Sequence, residues 1–110
     1  MGISKDFKLI VTIIAQDMAD KVLDAIEKEG VKKSTVLLSR GISDNNPILP
    51  FNVRIDPRRE VILTLVPKDK ANRTFEVILE AGELEKPLNG LTFISDIEKV
   101  GGIDLSMFDN

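Results

Sequence analysis

The sequence predicts an α+β domain with the element order β-α-β-β-α-β. Three observations carry the prediction: short runs rich in β-branched residues alternate with amphipathic stretches of helical period, the order strand-helix-strand occurs twice, and a glycine closes each helical stretch.

FKLIVTIIA, residues 7–15, is short and β-branched, which predicts a strand buried at the centre of a sheet. QDMADKVLDAIEKEG follows, with Met18, Val22, Leu23, Ala25 and Ile26 on one helical face and Asp20, Lys21, Asp24, Glu27 and Lys28 on the other. Asp17 is placed to cap this helix and Gly30 to end it at C′. STVLLSRG, 34–41, reads as the second strand, and the intervening helix requires the two strands to run parallel in one sheet. EVILTLV (60–66), DKANRTFEVILEAG (69–82) and LTFIS (91–95) repeat the pattern. Phe75, Ile78 and Leu79 form the second apolar stripe, Asp69 opens that helix after Pro67, and Gly82 takes the role of Gly30. Two such units joined in sequence give a ferredoxin-like β-α-β-β-α-β sandwich with both helices on one face. The runs LIVTII and VILTLV are apolar on both sides, so the other face also needs cover. A second chain, making a homo-oligomer, and the C-terminal segment 96–110 with Ile97, Val100, Ile103, Leu105, Met107 and Phe108 are both available for this.

Composition bounds the chemistry. The 110 residues, 43% hydrophobic and 30% charged, form one domain, 1–110, able to bury its own core. No cysteine and no histidine are present, which removes disulfides, the usual zinc ligands, thiol nucleophiles and the usual base near neutral pH. A formal net charge of -3 argues against nucleic acid or an anionic membrane as partner. The longest N-terminal apolar run, LIVTIIA, is far below the roughly 20 residues of a membrane span and lacks a signal-peptide context, so a cytoplasmic protein is expected. The same-fold acylphosphatase reading fails because IIAQDMAD offers neither arginine nor glycine for a phosphate cradle. RNA binding fails for want of aromatics on the strands. No catalytic residue and no metal ligand is assigned.

Two connections depart from the repeat. ISDNNPILPFNVRIDPRR, the long loop 42–59, carries three prolines and exceeds any hairpin turn. Arg40, Arg54, Arg58 and Arg59 are four of the five arginines, opposed locally only by Asp44 and Asp56, which points to an anionic ligand or partner. The same charges also fit a solvated loop. Ile48, Leu49 and Phe51 are apolar residues placed to meet a protein partner. The short loop 83–90, ELEKPLNG, ends in the turn signal Asn89-Gly90, whose backbone amides suit an anion or simply a connection.

This order of parts resembles the PII nitrogen-regulatory signalling proteins over nearly the whole chain. GVKKSTVLLSRGIS (30–43) is similar to the family's approach to its long T-loop, through Gly30, Thr35, Val36 and Gly41. EAGELEKPLNGLTFIS is similar to its short loop and the strand after it, through Gly82, Gly90 and the phenylalanine-containing strand. The resemblance implies a non-enzymatic trimer that binds an adenine nucleotide in clefts between subunits and reaches a membrane only through a partner protein. It implies ligand contacts from Arg40, Gly41, Arg59, Asn89 and Gly90, with Arg59 matching a lysine that helps to hold 2-oxoglutarate. Departures accompany it: Leu88 stands in place of a glycine, Leu91 in place of a phosphate-binding lysine, and Gly102 and Asp104 in place of two arginines. Each charge-assisted contact contributes roughly 1.5 to 3 kcal/mol, so three losses argue against tight ATP binding in the family's manner. No tyrosine is available for uridylylation. A ligand-independent interaction module presenting Ile48, Leu49 and Phe51, and an amino-acid sensor of the ACT type, remain alternatives on the same element order.

Overall fold

The computed structural model describes residues 2–4, 6–38, 59–86 and 89–103. Its elements are β1 (Gly2–Ser4), β2 (Phe7–Ala15), α1 (Ala19–Lys28), β3 (Thr35–Leu38), β4 (Arg59–Pro67), α2 (Ala71–Ala81), β5 (Gly90–Asp96) and β6 (Val100–Ile103). Strands β3-β4-β2-β5 form one four-stranded sheet in that order, and every neighbouring pair is antiparallel. It follows that β2 and β3 run parallel with β4 between them, and β4 and β5 run parallel with β2 between them. This is the interleaving of two β-α-β units that defines the ferredoxin-like fold.

Register decides what each face carries. Ile10 opposes Thr64 and Ile94, and Ile14 opposes Glu60 and Gly90, so the even positions of the central strands share a face. Ile10, Ile14, Ile62 and Val66 pack there with Val22, Ile26 and Ile78 of the helices, forming the main core. The odd positions make a second apolar cluster on the opposite face: Val11, Ile13 and Val61 are buried, with Leu9, Leu38, Leu63 and Phe93 packed against them. Both faces are therefore apolar, as the runs LIVTII and VILTLV predict. Toward the two edge strands the cover thins, and Val36 is 53% and Leu91 50% exposed. Of the C-terminal segment, Val100–Ile103 pair antiparallel with β1 in a separate two-stranded sheet, which tiny glycine-bearing strands gave no reason to expect.

The helix starts differ from expectation. Asp17, expected as a cap, makes no capping bond, because a 3₁₀ turn precedes each α-helix: Gln16–Met18 before α1 and Lys68–Lys70, which contains Asp69, before α2. The amides of Ala19 and Ala71 donate to the carbonyls of Gln16 and Lys68, so a backbone turn meets a need that a side-chain cap would otherwise fill. At the other end Gly30 does take the left-handed conformation, with φ of 79°. Gly82 does not. Its φ is -85° and Glu83 carries the positive φ of 49° instead. Gly82 is needed for space, since a Cβ there would lie 2.7 Å from Ile14 Cδ1 and 3.2 Å from Val22 Cγ2.

Candidate functional site

At one end of the sheet the C-termini of β2 and β3 meet the N-termini of β4 and β5. Ala15 opposes Arg59, and Ile14 opposes Gly90. The short loop closes onto this end through Asn89. The Asn89 carbonyl accepts the Ala15 amide at 3.1 Å and Arg59 Nη1 at 2.6 Å. Its side-chain Nδ2 donates to the carbonyls of Glu83 at 2.9 Å and Gly82 at 3.3 Å, taking up acceptors left at the end of α2. Within the loop the Leu84 amide donates to Leu79 at 3.1 Å, and the Lys86 amide to Glu83 at 3.0 Å. Lys86 also ion-pairs with the Glu83 side chain. The hydrogen bond from Lys86 and then its charge hold the Glu83 carboxyl below the ordinary glutamate range.

Two of the five expected ligand contacts, Arg40 and Gly41, lie outside the described residues, as do Ile48, Leu49 and Phe51. The other three converge. Arg59, Asn89 and Gly90 meet at the sheet end, with the Arg59 guanidinium oriented by the Asn89 carbonyl. Gly90 has a structural reason of its own: φ is +142°, and a Cβ would fall 2.1 Å from the Ile13 carbonyl oxygen. The backbone of β5 approaches β2 too closely there for any other residue. Leu91 is half exposed, on the face away from the helices. Gly102 has φ of +76° and open space around it. Leu88 and Asp104 lie outside the described residues.

Among the described residues no group of three acidic side chains is arranged to hold a metal. Among the same residues no helix is long and apolar enough to cross a membrane. The described residues of the helix side line a groove of 430 Å³ between α1 and α2 and another of 660 Å³ beside the short loop, sharing Arg73 and Glu80. Arg73 pairs with Glu29 at 3.4 Å in the first. Sequence reasoning missed the Arg59–Asn89 bond, because its partners are 30 residues apart and only the sheet brings them together.

The interleaved sheet with both helices on one face defines a ferredoxin-like domain. The family model described as nitrogen regulatory protein P-II matches residues 7–105, and the chain belongs to that family. The family consists of non-catalytic regulators, so a signalling role and not an enzymatic one follows for this chain. Among solved structures, the crystal structure of Arabidopsis thaliana PII bound to citrate is similar, with a TM-score of 0.59 over 86% of this chain and 78% of that chain. At 16% identity this likeness shows the fold. No curated protein matches the chain.

Proposed function

We propose that this chain is a PII-like sensor that takes a small anionic metabolite or a weakly held adenine nucleotide in clefts between the subunits of a homotrimer, and signals through its long loop 42–59. The observation that carries the reading is the Arg59 guanidinium, fixed 2.6 Å from the Asn89 carbonyl at the junction of β4 and the short loop. An arginine oriented at a sheet end where two loops meet is suited to a carboxylate or phosphate. Arg40, Gly41 and the backbone at Gly90 complete the ligand contacts in this reading. The solved relative's bound citrate, a small polycarboxylate, is of the same chemical class. Assembly through the face away from the helices agrees with exposed Val36 and Leu91 at its margins. Isothermal titration against ATP, ADP, AMP, cyclic nucleotides, bicarbonate, 2-oxoglutarate and citrate tests the reading, with sedimentation equilibrium to establish the trimer. Heat on binding one of these anions, lost in Arg59→Ala, is the expected result. Silence across the panel would overturn sensing and leave the regulatory fold to act by protein contact alone, through Ile48, Leu49 and Phe51.

A further inference from the structure

Asn89 has more structure built around it than a connecting turn requires. Its carbonyl accepts from two strands, at Ala15 and at Arg59, while its side chain reaches back to the carbonyls of Gly82 and Glu83 at the end of α2. Its own amide donates to Lys86 at 3.4 Å. One residue thus ties together the end of β2, the start of β4, the end of α2 and the short loop. The bond from Arg59 is the shortest of these contacts and is charge-assisted, a class roughly twice as strong as neutral hydrogen bonds.

We propose that the Arg59–Asn89 hydrogen bond is a latch that couples the point where the long loop rejoins the sheet to the conformation of the short loop. Asn89 acts as a positioning residue: its side-chain clamp on α2 holds the carbonyl in place, and the carbonyl orients the guanidinium. Displacement of Arg59 in either direction along its strand end removes one of the two donors from that carbonyl. Of the two donors to that carbonyl the Ala15 amide then remains, and the short loop up to Asn89 is held less firmly to the sheet. An oxyanion competes for the guanidinium better than a neutral carbonyl does, because charge adds to the hydrogen bond. Ligand capture that draws Arg59 off this carbonyl loosens the short loop, and loosening of the short loop changes how Arg59 is presented, since coupling between two sites is reciprocal. The identity of the trigger rests on the proposed sensor function; the latch itself does not.

The test needs no ligand. Amide hydrogen exchange by NMR is compared in the wild-type chain, Arg59→Ala, Arg59→Lys and Asn89→Ala, and exchange of the Arg59 guanidinium protons is followed where Arg59 is present. Arg59→Ala is expected to accelerate exchange of the Ala15, Lys86 and Asn89 amides on the order of tenfold. Arg59→Lys, which keeps a cationic donor, restores part of the protection. Asn89→Ala leaves the backbone carbonyl present but removes its clamp, and is expected to accelerate exchange of the Arg59 guanidinium protons. A residue serving only its local packing would not move the distant partner in both directions. If Arg59→Ala leaves Lys86 and Asn89 unchanged, or Asn89→Ala leaves the guanidinium unchanged, the latch is wrong. Should Asn89→Ala not fold, the Arg59→Lys and Arg59→Ala pair still decides. Silence in the ligand panel combined with the expected exchange pattern would sink the sensor reading and keep the latch.

Discussion

A Cβ at Gly90 would sit 2.1 Å from the Ile13 carbonyl oxygen and 3.0 Å from Ile14 Cα, both backbone atoms that cannot rotate away. At Gly82 the nearest contact, 2.7 Å, is Ile14 Cδ1, the far end of a flexible side chain, and φ is ordinary. The two glycines flank one loop yet answer to different constraints. Gly90→Ala is expected to destabilise by at least about 3 kcal/mol, since it adds a backbone clash to a strained φ. Gly82→Ala is expected to cost about 1 to 2 kcal/mol, the ordinary toll of overpacking. Urea denaturation ranks them, and equal losses would contradict this account. Thr64 offers the opposite kind of residue: its side chain is fully buried on the helix-facing side and its Oγ1 has no hydrogen-bond partner among the described residues. The other buried threonines, Thr12 and Thr74, are satisfied, Thr12 through Thr92 at 3.0 Å and Thr74 through the Lys70 carbonyl at 2.8 Å. An unsatisfied buried hydroxyl costs about 1 to 3 kcal/mol, so Thr64→Val is expected to raise stability by about 1 kcal/mol. A lower urea midpoint in that variant would show that the hydroxyl is satisfied in solution.

Elements with a strong period are legible in the sequence itself, and the reason is energetic. β2 and β4 must bury both faces, so each is a continuous apolar run; α1 and α2 bury one stripe, so each repeats at helical spacing. β1 and β6 have three and four residues, Gly2–Ser4 and Val100–Ile103, and each contains glycine. Nothing in so short a stretch sets a period, and the pairing between chain ends is a tertiary fact. The site divides in the same way. Asn89-Gly90 reads as a turn from local chemistry alone, whereas the partnership of Asn89 with Arg59 needs β4 and β5 to flank β2. Asp17 misled because a cap and a 3₁₀ turn satisfy the same amides, and only the backbone decides between them. Pairing between elements also sets a pH response. Lys8 on β2 opposes Asp96 on β5 in register, 2.5 Å from its carboxylate, and that hydrogen bond, followed by its charge, holds the Asp96 carboxyl below the ordinary aspartate range. A depressed folded value means that the pair's contribution is fully present above the unfolded aspartate pKa and is lost as pH falls through the folded one. In Lys8→Met the Asp96 carboxyl is expected to titrate upward, toward its ordinary range, as read by carboxyl carbon NMR shifts. An unchanged titration would remove Lys8 as the cause.

Over the whole molecule, the family membership and the fold are shown, and the sequence resemblance marks one exposed position, Leu91, as a departure. Leu91 stands on β5 one residue beyond the tight Gly90 junction, exposed by half on the face away from the helices, where the family resemblance places a lysine. Because Leu91 contributes little to the core, a lysine there can be introduced without disturbing the fold. Leu91→Lys is therefore a test of whether the short loop lines a nucleotide cleft between subunits. If subunits assemble so that the short loop lines a nucleotide site, one restored charge-assisted contact, roughly 1.5 to 3 kcal/mol, raises ATP affinity by at least about tenfold. Salt should erode the gain, since the new contact lies near solvent. Titration of ATP into the variant at low and high ionic strength reads both effects, and sedimentation equilibrium on the same samples checks that assembly is unchanged. No gain in affinity for ATP, ADP or AMP with the assembly intact would mean that the short loop takes no part in nucleotide binding.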